Sequence, residues 1–127
     1  TSDLAGLLAA TAAGDLRAVP APTFSPDAAV LVVTASEGYP ASPRTGDVIA
    51  GLDEARAVEG VTILGAGVAR DDDGALVTAG GRVLNVVGRG PDVATARDRA
   101  YRAVDLIGWP GEHHRTDIAA TDHPAAG

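Results

Sequence analysis

Residues 78–90 read TAGGRVLNVVGRG, and this stretch predicts a tight turn followed by a strand. Gly80 and Gly81 allow the backbone to turn sharply, because a residue without a Cβ reaches conformations that are closed to other residues. The run from Val83 to Val87 is rich in β-branched side chains, which is typical of a strand. We therefore expect Arg82 at the beginning of a strand, at one edge of a sheet.

Other short apolar runs predict the partners of this strand. Residues 29–35 (AVLVVTA) are an uninterrupted run bounded by turn residues, as expected of a buried central strand, and residues 61–64 predict another strand. The Asp-Asp-Asp-Gly sequence at 71–74 lies between two apolar pieces and predicts a hairpin, because Asp-Gly tolerates the positive φ of tight hairpin turns. Short strands joined in this way indicate a mainly antiparallel sheet.

Helices are predicted on both sides of these strands. Asp3 is a suitable N-cap for a first helix, which Gly14 would stop, and a single helical turn is expected over 53–58. Asp92 is a suitable N-cap for a last helix, whose apolar face would extend over about four turns and cover the sheet. The residues of that face are Val93, Ala96, Ala100, Ala103, Val104 and Ile107. The expected fold class is α+β: a mainly antiparallel sheet of short strands covered by one long C-terminal helix, with an N-terminal helix.

Proline and small residues mark the expected boundaries of the domain. Pro20, Pro22 and Pro26 make residues 18–27 an extended connector. We expect residues 28–119 to form the folded domain and residues 120–127, rich in Ala, Pro and Gly, to form a flexible tail. A chain that starts at Thr1 is expected to begin inside a longer one, although removal of an initiator Met before a small residue would leave the same start.

Composition excludes several classes of function. A length of 127 residues fits one domain. The net charge of −7 argues against unaided binding to nucleic acid or to an anionic membrane, because both require a basic surface. All ten basic residues are Arg, so lysine Schiff-base chemistry and a P-loop lysine are excluded, and without Cys there is no thiol chemistry. No apolar run approaches the ~20 residues of a membrane-spanning helix, and the expected location is the cytoplasm.

Arg82 is the strongest candidate for binding chemistry. An arginine fork matches a phosphate or a carboxylate bidentately, yet a surface Arg paired with a nearby Asp is the more common arrangement. Tyr39 at a turn could stack or hydrogen-bond in a cleft, or it could plug the rim of the core. Glu37 and Asp47 flank one loop and could act as an acid and base pair, whereas carboxylates in loops are usually only solvated.

Histidine and glycine patterns give weaker signals. His113 and His114 would point to opposite faces of an extended segment, no Cys or well-spaced Glu completes a ligand set, and His123 lies in the tail, so a metal site is not expected. The sequence at 71–74 lacks the Glu that completes an EF-hand loop. The Gly-x-Gly sequences at 65–67 and 88–90 lack the full dinucleotide-binding pattern, and there is no nucleophile elbow.

Four sequence words in fixed order resemble a known family. They are SEGYP at 36–40, TGDVI at 45–49, GGRVLNVVGRG at 80–90 and RTDIA at 115–119. Together they resemble the C-terminal domain of bacterial phosphoribosylamine–glycine ligases, from about Asp3 to Ala119. The resemblance implies a domain that closes the cleft of an ATP-dependent ligase of purine biosynthesis, in which glycine becomes an acyl phosphate and is joined to 5-phosphoribosylamine.

The same resemblance implies partners and a site. The N-terminal and ATP-grasp domains of the ligase would hold ATP and Mg²⁺, residues 1–27 would lead out of the ATP-grasp region, and this chain alone would bind neither cofactor and would be inactive. No catalytic residue or metal ligand is implied. The implied substrate-binding residues are Arg82, Gly81, Gly80, Tyr39, Gly38 and Asp47.

Two positions depart from the family pattern. Gly65 stands where the family commonly has His, and His114 stands where it commonly has Tyr. A diverged or degenerate copy therefore remains open as an alternative. So does a free-standing, non-catalytic module derived from this domain, which would bind a partner protein or a small ligand.

Overall fold

The computed structural model describes residues 2–120, which form a mixed helix and antiparallel-sheet fold. The helices are α1 (Leu4–Ala12), a 3₁₀ helix (Leu16–Ala18), α2 (Leu52–Arg56) and α3 (Val93–Val104). The strands are β1 (Ala28–Ala35), β2 (Val61–Gly65), β3 (Val68–Arg70), β4 (Leu76–Thr78), β5 (Arg82–Gly90) and β6 (His113–His114). Within residues 2–120, no helix has the length and apolar character needed to cross a membrane. The predicted tail after residue 120, with His123, lies outside the described residues.

The strands form two antiparallel sheets. The larger has the order β2-β5-β1-β6, so β1 and β5 are central, and Val32 lies opposite Val86 in their register. The smaller is the hairpin of β3 and β4, which turns through Gly74 at a φ of 82°. The predictions of an antiparallel sheet, of a central strand over 29–35 and of a hairpin at 71–74 are confirmed.

The core lies between α3 and one face of the larger sheet. Ala96, Ala100 and Ala103 of α3 are fully buried, and they pack with Val32 and Val86 in one hydrophobic cluster. Small side chains let the two layers approach closely. A Cβ at position 88 of β5 would lie 2.2 Å from the carbonyl oxygen of Ala96, so only glycine fits beneath the helix there.

Side chains cap two helices as predicted. The carboxylate of Asp3 accepts a hydrogen bond from the backbone N–H of Gly6 at 3.1 Å, and that of Asp92 accepts one from Thr95 at 2.7 Å. The bond from Thr95 lowers the pKa of Asp92, because it stabilises the ionised carboxylate. These caps fix where α1 and α3 begin.

The last helix is shorter than the predicted four turns. It has 12 residues and ends at Val104, because the chain beyond it bends to pair Gly108 with Ala50 through hydrogen bonds of 3.0 and 3.2 Å. Ile107 remains buried although it lies past the helix, whereas Val93 at the first turn is half exposed. Five of the six residues that the helical spacing predicted are therefore buried, and Val93 is the exception. The spacing did not predict that the helix ends before Ile107.

Apolar residues of β1 and α1 are exposed. The run at 29–35 was predicted to be a buried central strand; it is central, but α3 covers only one of its faces, and Leu31 on the other face is 45% exposed. No residue of α1 is buried, and Leu4 is 64% exposed. Both features leave apolar surface uncovered on the part of the chain that the structure describes.

Candidate functional site

The loop after β1 is fastened to the start of β5. Ser36 donates from its backbone N–H to the carbonyl of Gly81 at 2.8 Å, and its hydroxyl donates to the carbonyl of Gly80 at 2.9 Å. Ser36 is fully buried, so these bonds are shielded from water. They bring the turn that contains Tyr39 beside the paired glycines, although the two stretches are more than 40 residues apart in sequence.

Glycine is required at position 81 because Tyr39 lies against it. A Cβ at Gly81 would come within 2.3 Å of Cδ2 of the tyrosine ring. Gly38 adopts a φ of 80°, and a Cβ there would lie 2.2 Å from the carbonyl oxygen of Ser42. Gly81 thus allows the ring to contact the turn that precedes β5, and Gly38 allows the loop that carries Tyr39 to turn back on Ser42.

Gly80 supports a second backbone crossing. A Cβ at Gly67 would lie 2.7 Å from the Cα of Gly80, and the backbone N–H of Gly67 donates to the carbonyl of Arg82 at 2.8 Å. The turn between β2 and β3 therefore packs directly on the turn before β5. This crossing is possible because both turns are built from glycine.

These contacts create an open hollow of about 590 Å³, which we call the Arg82 hollow. Arg82, Tyr39 and Gly81 line it together with Asn85, Ala66 and Gly67. The Arg82 side chain is exposed and makes no hydrogen bond or ion pair with any residue in the range 2–120. A guanidinium left without a partner beside an aromatic ring is suited to hold an anionic group bidentately.

A second hollow of about 360 Å³ lies on the uncovered face of the sheet, and we call it the sheet-face hollow. Tyr39 and Arg82 separate it from the Arg82 hollow, since they line both. The apolar lining consists of Leu31, Val32, Val33, Ala35 and Ile118, and the remaining wall of His113, His114 and Arg115. No carboxylate belongs to the described lining of either hollow, although the chain has 17 acidic and 10 basic residues. His114 and Arg115 have carboxylate partners outside the lining, Glu112 and Asp117, so Arg82 is the arginine of the described linings that is left for an anion.

Asp47 lies apart from the Arg82 hollow and is paired with Arg44. Its two carboxylate oxygens accept hydrogen bonds from Nε and Nη2 of Arg44 at 2.9 and 3.1 Å. Arg44 also contacts Glu37 and donates to the carbonyl of Pro110 at 2.8 Å. The bond to Asp47 raises the pKa of Arg44. Glu37 and Asp47 therefore share one arginine, and this network ties the loop to the segment after α3.

The structure thus brings together three of the six predicted substrate-binding residues at one hollow: Tyr39, Gly81 and Arg82. Gly80 and Gly38 shape the turns around it, and Asp47 holds the adjoining loop. Sequence reasoning did not select Asn85, which its position as the one polar residue in the VLNVV run could have indicated. It considered His114 only as a metal ligand and as a departure from the family pattern, and it did not select Arg115, although the RTDIA word contains this residue.

The described residues contain no cluster of ligands for a metal ion such as Mg²⁺. Between residues 2 and 120 no three His, Asp or Glu side chains converge in a way that could hold a metal ion. The Asp71 carboxylate is used inside its own hairpin, where it accepts from the N–H groups of Asp73 and Ala75. His114 bonds to Glu112 at 3.0 Å, and no third ligand completes a set among the described residues.

Comparison with known proteins gives consistent results. The family model of the phosphoribosylglycinamide synthetase C domain matches residues 29–121. Two relatives named phosphoribosylamine–glycine ligase align with 92% of the chain; the one from Leifsonia xyli subsp. xyli is 56% identical and the one from Streptomyces coelicolor is 54% identical. The chain spans about 28% of the length of these two relatives.

A solved structure shows the same similarity in three dimensions. The crystal structure of phosphoribosylamine–glycine ligase from Thermotoga maritima matches this fold with a TM-score of 0.62 and 41% sequence identity. The match covers 71% of this chain and 21% of that one.

Proposed function

The chain belongs to the family of phosphoribosylglycinamide synthetase C domains, and we propose that it serves as the C-terminal, cleft-closing domain of an ATP-dependent ligase. The ligase joins glycine to 5-phosphoribosylamine in the cytoplasm and so forms glycinamide ribonucleotide. Support comes from the family match over 29–121 and from relatives of that name which are more than three times as long as the aligned segment.

The role of the site rests on the guanidinium of Arg82, which has no hydrogen-bond or ion-pair partner in residues 2–120 and lies in a hollow whose described lining contains no carboxylate. Both substrates offer an anion, since phosphoribosylamine carries a phosphate and glycine a carboxylate. A planar arginine fork binds either group through two parallel hydrogen bonds. Gly80, Gly81 and Gly38 shape the turns that border the hollow, Tyr39 forms the wall, and Asp47 supports the loop through Arg44.

The proposal divides the chemistry between this domain and the rest of the ligase. Activation of glycine needs a nucleotide and Mg²⁺, and no three His, Asp or Glu side chains of residues 2–120 converge to hold the metal ion. We assign their binding to the ATP-grasp part of the enzyme. Residues 1–27 then form the connector from that part, and the exposed apolar side chains of α1, such as Leu4, pack against it. Residues 28–119 form the C-terminal domain.

A domain exchange tests the proposal. We expect a chimera in which this chain replaces the aligned 119 residues of the Streptomyces coelicolor ligase to form glycinamide ribonucleotide at a rate within about tenfold of the parent enzyme, because 54% of these residues are identical. The assay measures product formation by the purified chimera. A chimera that folds but is inactive would contradict the proposal, and recovery on Gly65→His would show that this copy is degenerate at that position.

A binding measurement tests whether nucleotide binding belongs to the ATP-grasp part of the enzyme and not to this chain. The isolated chain is expected to bind Mg-ATP no more tightly than about 1 mM, because the chain has no Lys and its residues 2–120 contain no carboxylate cluster that could hold the metal. Titration calorimetry measures this directly, with the complete ligase as the positive control. Micromolar binding to the isolated chain would place nucleotide recognition here and would contradict the assignment.

A further inference from the structure

The segment that follows β6 is held in place by one tyrosine of α3. β6 itself pairs with β1 only at Thr34–His114 and Ala35–His113. Beyond it, the hydroxyl of Tyr101 donates to the carbonyl of Arg115 at 2.7 Å and accepts from the backbone N–H of Ile118 at 3.1 Å. One hydroxyl group therefore forms hydrogen bonds with the backbone at both ends of the four-residue stretch 115–118.

Arg97, one turn earlier in α3, completes this contact. Its Nε donates to the carbonyl of Ile118 at 3.0 Å, and its Nη2 donates to that of Thr116 at 2.8 Å. The guanidinium carbon lies 4.5 Å from the centroid of the Tyr101 ring, which is a cation–π contact. Tyr101 and Arg97 together satisfy four backbone groups of the segment, and we call the pair the α3 clasp.

The α3 clasp rests on a rigid base. Ala96 directly precedes Arg97, and Ala100 directly precedes Tyr101; both alanines, like Ala103, are fully buried against the sheet. Movement of the clasp relative to β1 and β5 would therefore require movement of the packed helix. The position of residues 115–118 is set by the core through these two side chains.

The fastened segment is one wall of the sheet-face hollow. Arg115 and Ile118 line that hollow together with Tyr39 and Arg82, whereas neither clasp residue is among the residues that line it. Arg115 is held by Asp117 through bonds of 2.9 and 2.6 Å, so its side chain also depends on where the segment lies. The segment that lines the hollow beside Arg82 is consequently held by two residues that do not line the hollow.

We infer that Tyr101, assisted by Arg97, is a positioning residue for binding of the anionic substrate. The hydroxyl holds the Arg115–Ile118 wall at the distance from Arg82 that the bound substrate requires, without touching the substrate. This inference rests on the proposed function and deepens it, since it assigns to the domain a residue that acts on the site through the backbone of another segment.

The test uses Tyr101→Phe in a full-length ligase that ends in this chain. Phenylalanine keeps the ring beneath Arg97 and removes only the hydroxyl. We expect hydrogen exchange of peptides that cover 115–118 to accelerate about tenfold and KM for phosphoribosylamine to rise about three- to tenfold, with kcat changed less than about twofold. Arg102→Ala is the matched control, because Arg102 is exposed on the same helix and has no bonded partner in residues 2–120. It should leave both measurements unchanged.

A purely structural role of Tyr101 would give a different pattern. Unchanged exchange at 115–118 in Tyr101→Phe, or faster exchange with unchanged KM, would overturn the inference. Should Tyr101→Phe fail to fold, Arg97→Lys provides the same measurements, since lysine keeps the charge over the ring but cannot span two carbonyls. A raised KM in Tyr101→Phe together with an unchanged KM in Arg82→Ala would retire the role proposed for Arg82 and leave the positioning role of Tyr101 standing.

Discussion

Ala100→Asp is expected to lower the free energy of unfolding by about 3 kcal/mol or more, because it places an unpaired carboxylate in the tightest layer of the core. Ala100 is fully buried, and its backbone nitrogen lies 2.5 Å from where a Cβ of Gly88 would be. The space between α3 and β5 therefore cannot accept a longer side chain without displacing the helix. Ionisation of the carboxylate would add a desolvation penalty to this steric cost.

Ala94→Asp is the matched control for this variant. It makes the same chemical change in the same helix, but Ala94 is exposed and lies in the first turn. A negative charge there interacts favourably with the helix dipole. We expect its free energy of unfolding to stay within about 0.5 kcal/mol of the parent chain. Denaturant titrations of both variants measure the difference, and equal midpoints would show that the buried face of α3 is assigned incorrectly.

Arg82→Ala in the full-length ligase is expected to reduce kcat/KM about ten- to a hundredfold, with phosphoribosylamine as the varied substrate. The loss corresponds to about 1.5–3 kcal/mol, which is typical of one charge-assisted contact to an anionic group. Stability should hardly change, because the Arg82 side chain is exposed and has no bonded partner in residues 2–120. Arg82→Lys should recover only part of the activity, since a point charge cannot reproduce the planar fork.

An arginine that only forms a surface ion pair is not expected to affect the kinetics when it is replaced. Arg56 provides this control. Its Nη1 lies 3.3 Å from Oδ1 of Asp53, and both side chains are largely exposed. Arg56→Ala should leave kinetics intact and change stability by less than about 1 kcal/mol. If Arg82→Ala behaves in the same way in kinetic assays and thermal melts, Arg82 does not face the substrate.

The parts of the fold that the sequence predicted depend on neighbouring residues. Asp3 and Asp92 bond to amides three residues ahead, and the Asp-Asp-Asp-Gly turn uses the positive φ of Gly74. Such interactions are encoded within a few positions, so they can be recognised without knowledge of the tertiary structure. The resemblance over SEGYP and GGRVLNVVGRG added Tyr39 and Arg82, which do share a hollow.

The parts that sequence reasoning missed depend on contacts between distant segments. Asp47 looked like a free loop carboxylate, but its partner Arg44 also bonds to Pro110, 66 residues away. The hydroxyl of Tyr101 bonds only to backbone groups, which carry no signature in the side-chain pattern. The uncovered face of β1 could not be recognised either, because an apolar run looks the same whether one face or both faces are covered.

The alanine face of α3 also affects the entropy of folding. Alanine has no side-chain rotamers to lose, whereas burial of a leucine costs roughly 0.5–1 kcal/mol in lost rotamer freedom. Three of the helix residues packed against the sheet, Ala96, Ala100 and Ala103, are therefore ordered at almost no side-chain entropy cost. The helix buries less apolar area, and therefore gains less hydrophobic stabilisation, than a helix with larger residues would. The smaller loss of side-chain entropy offsets part of this lower stabilisation.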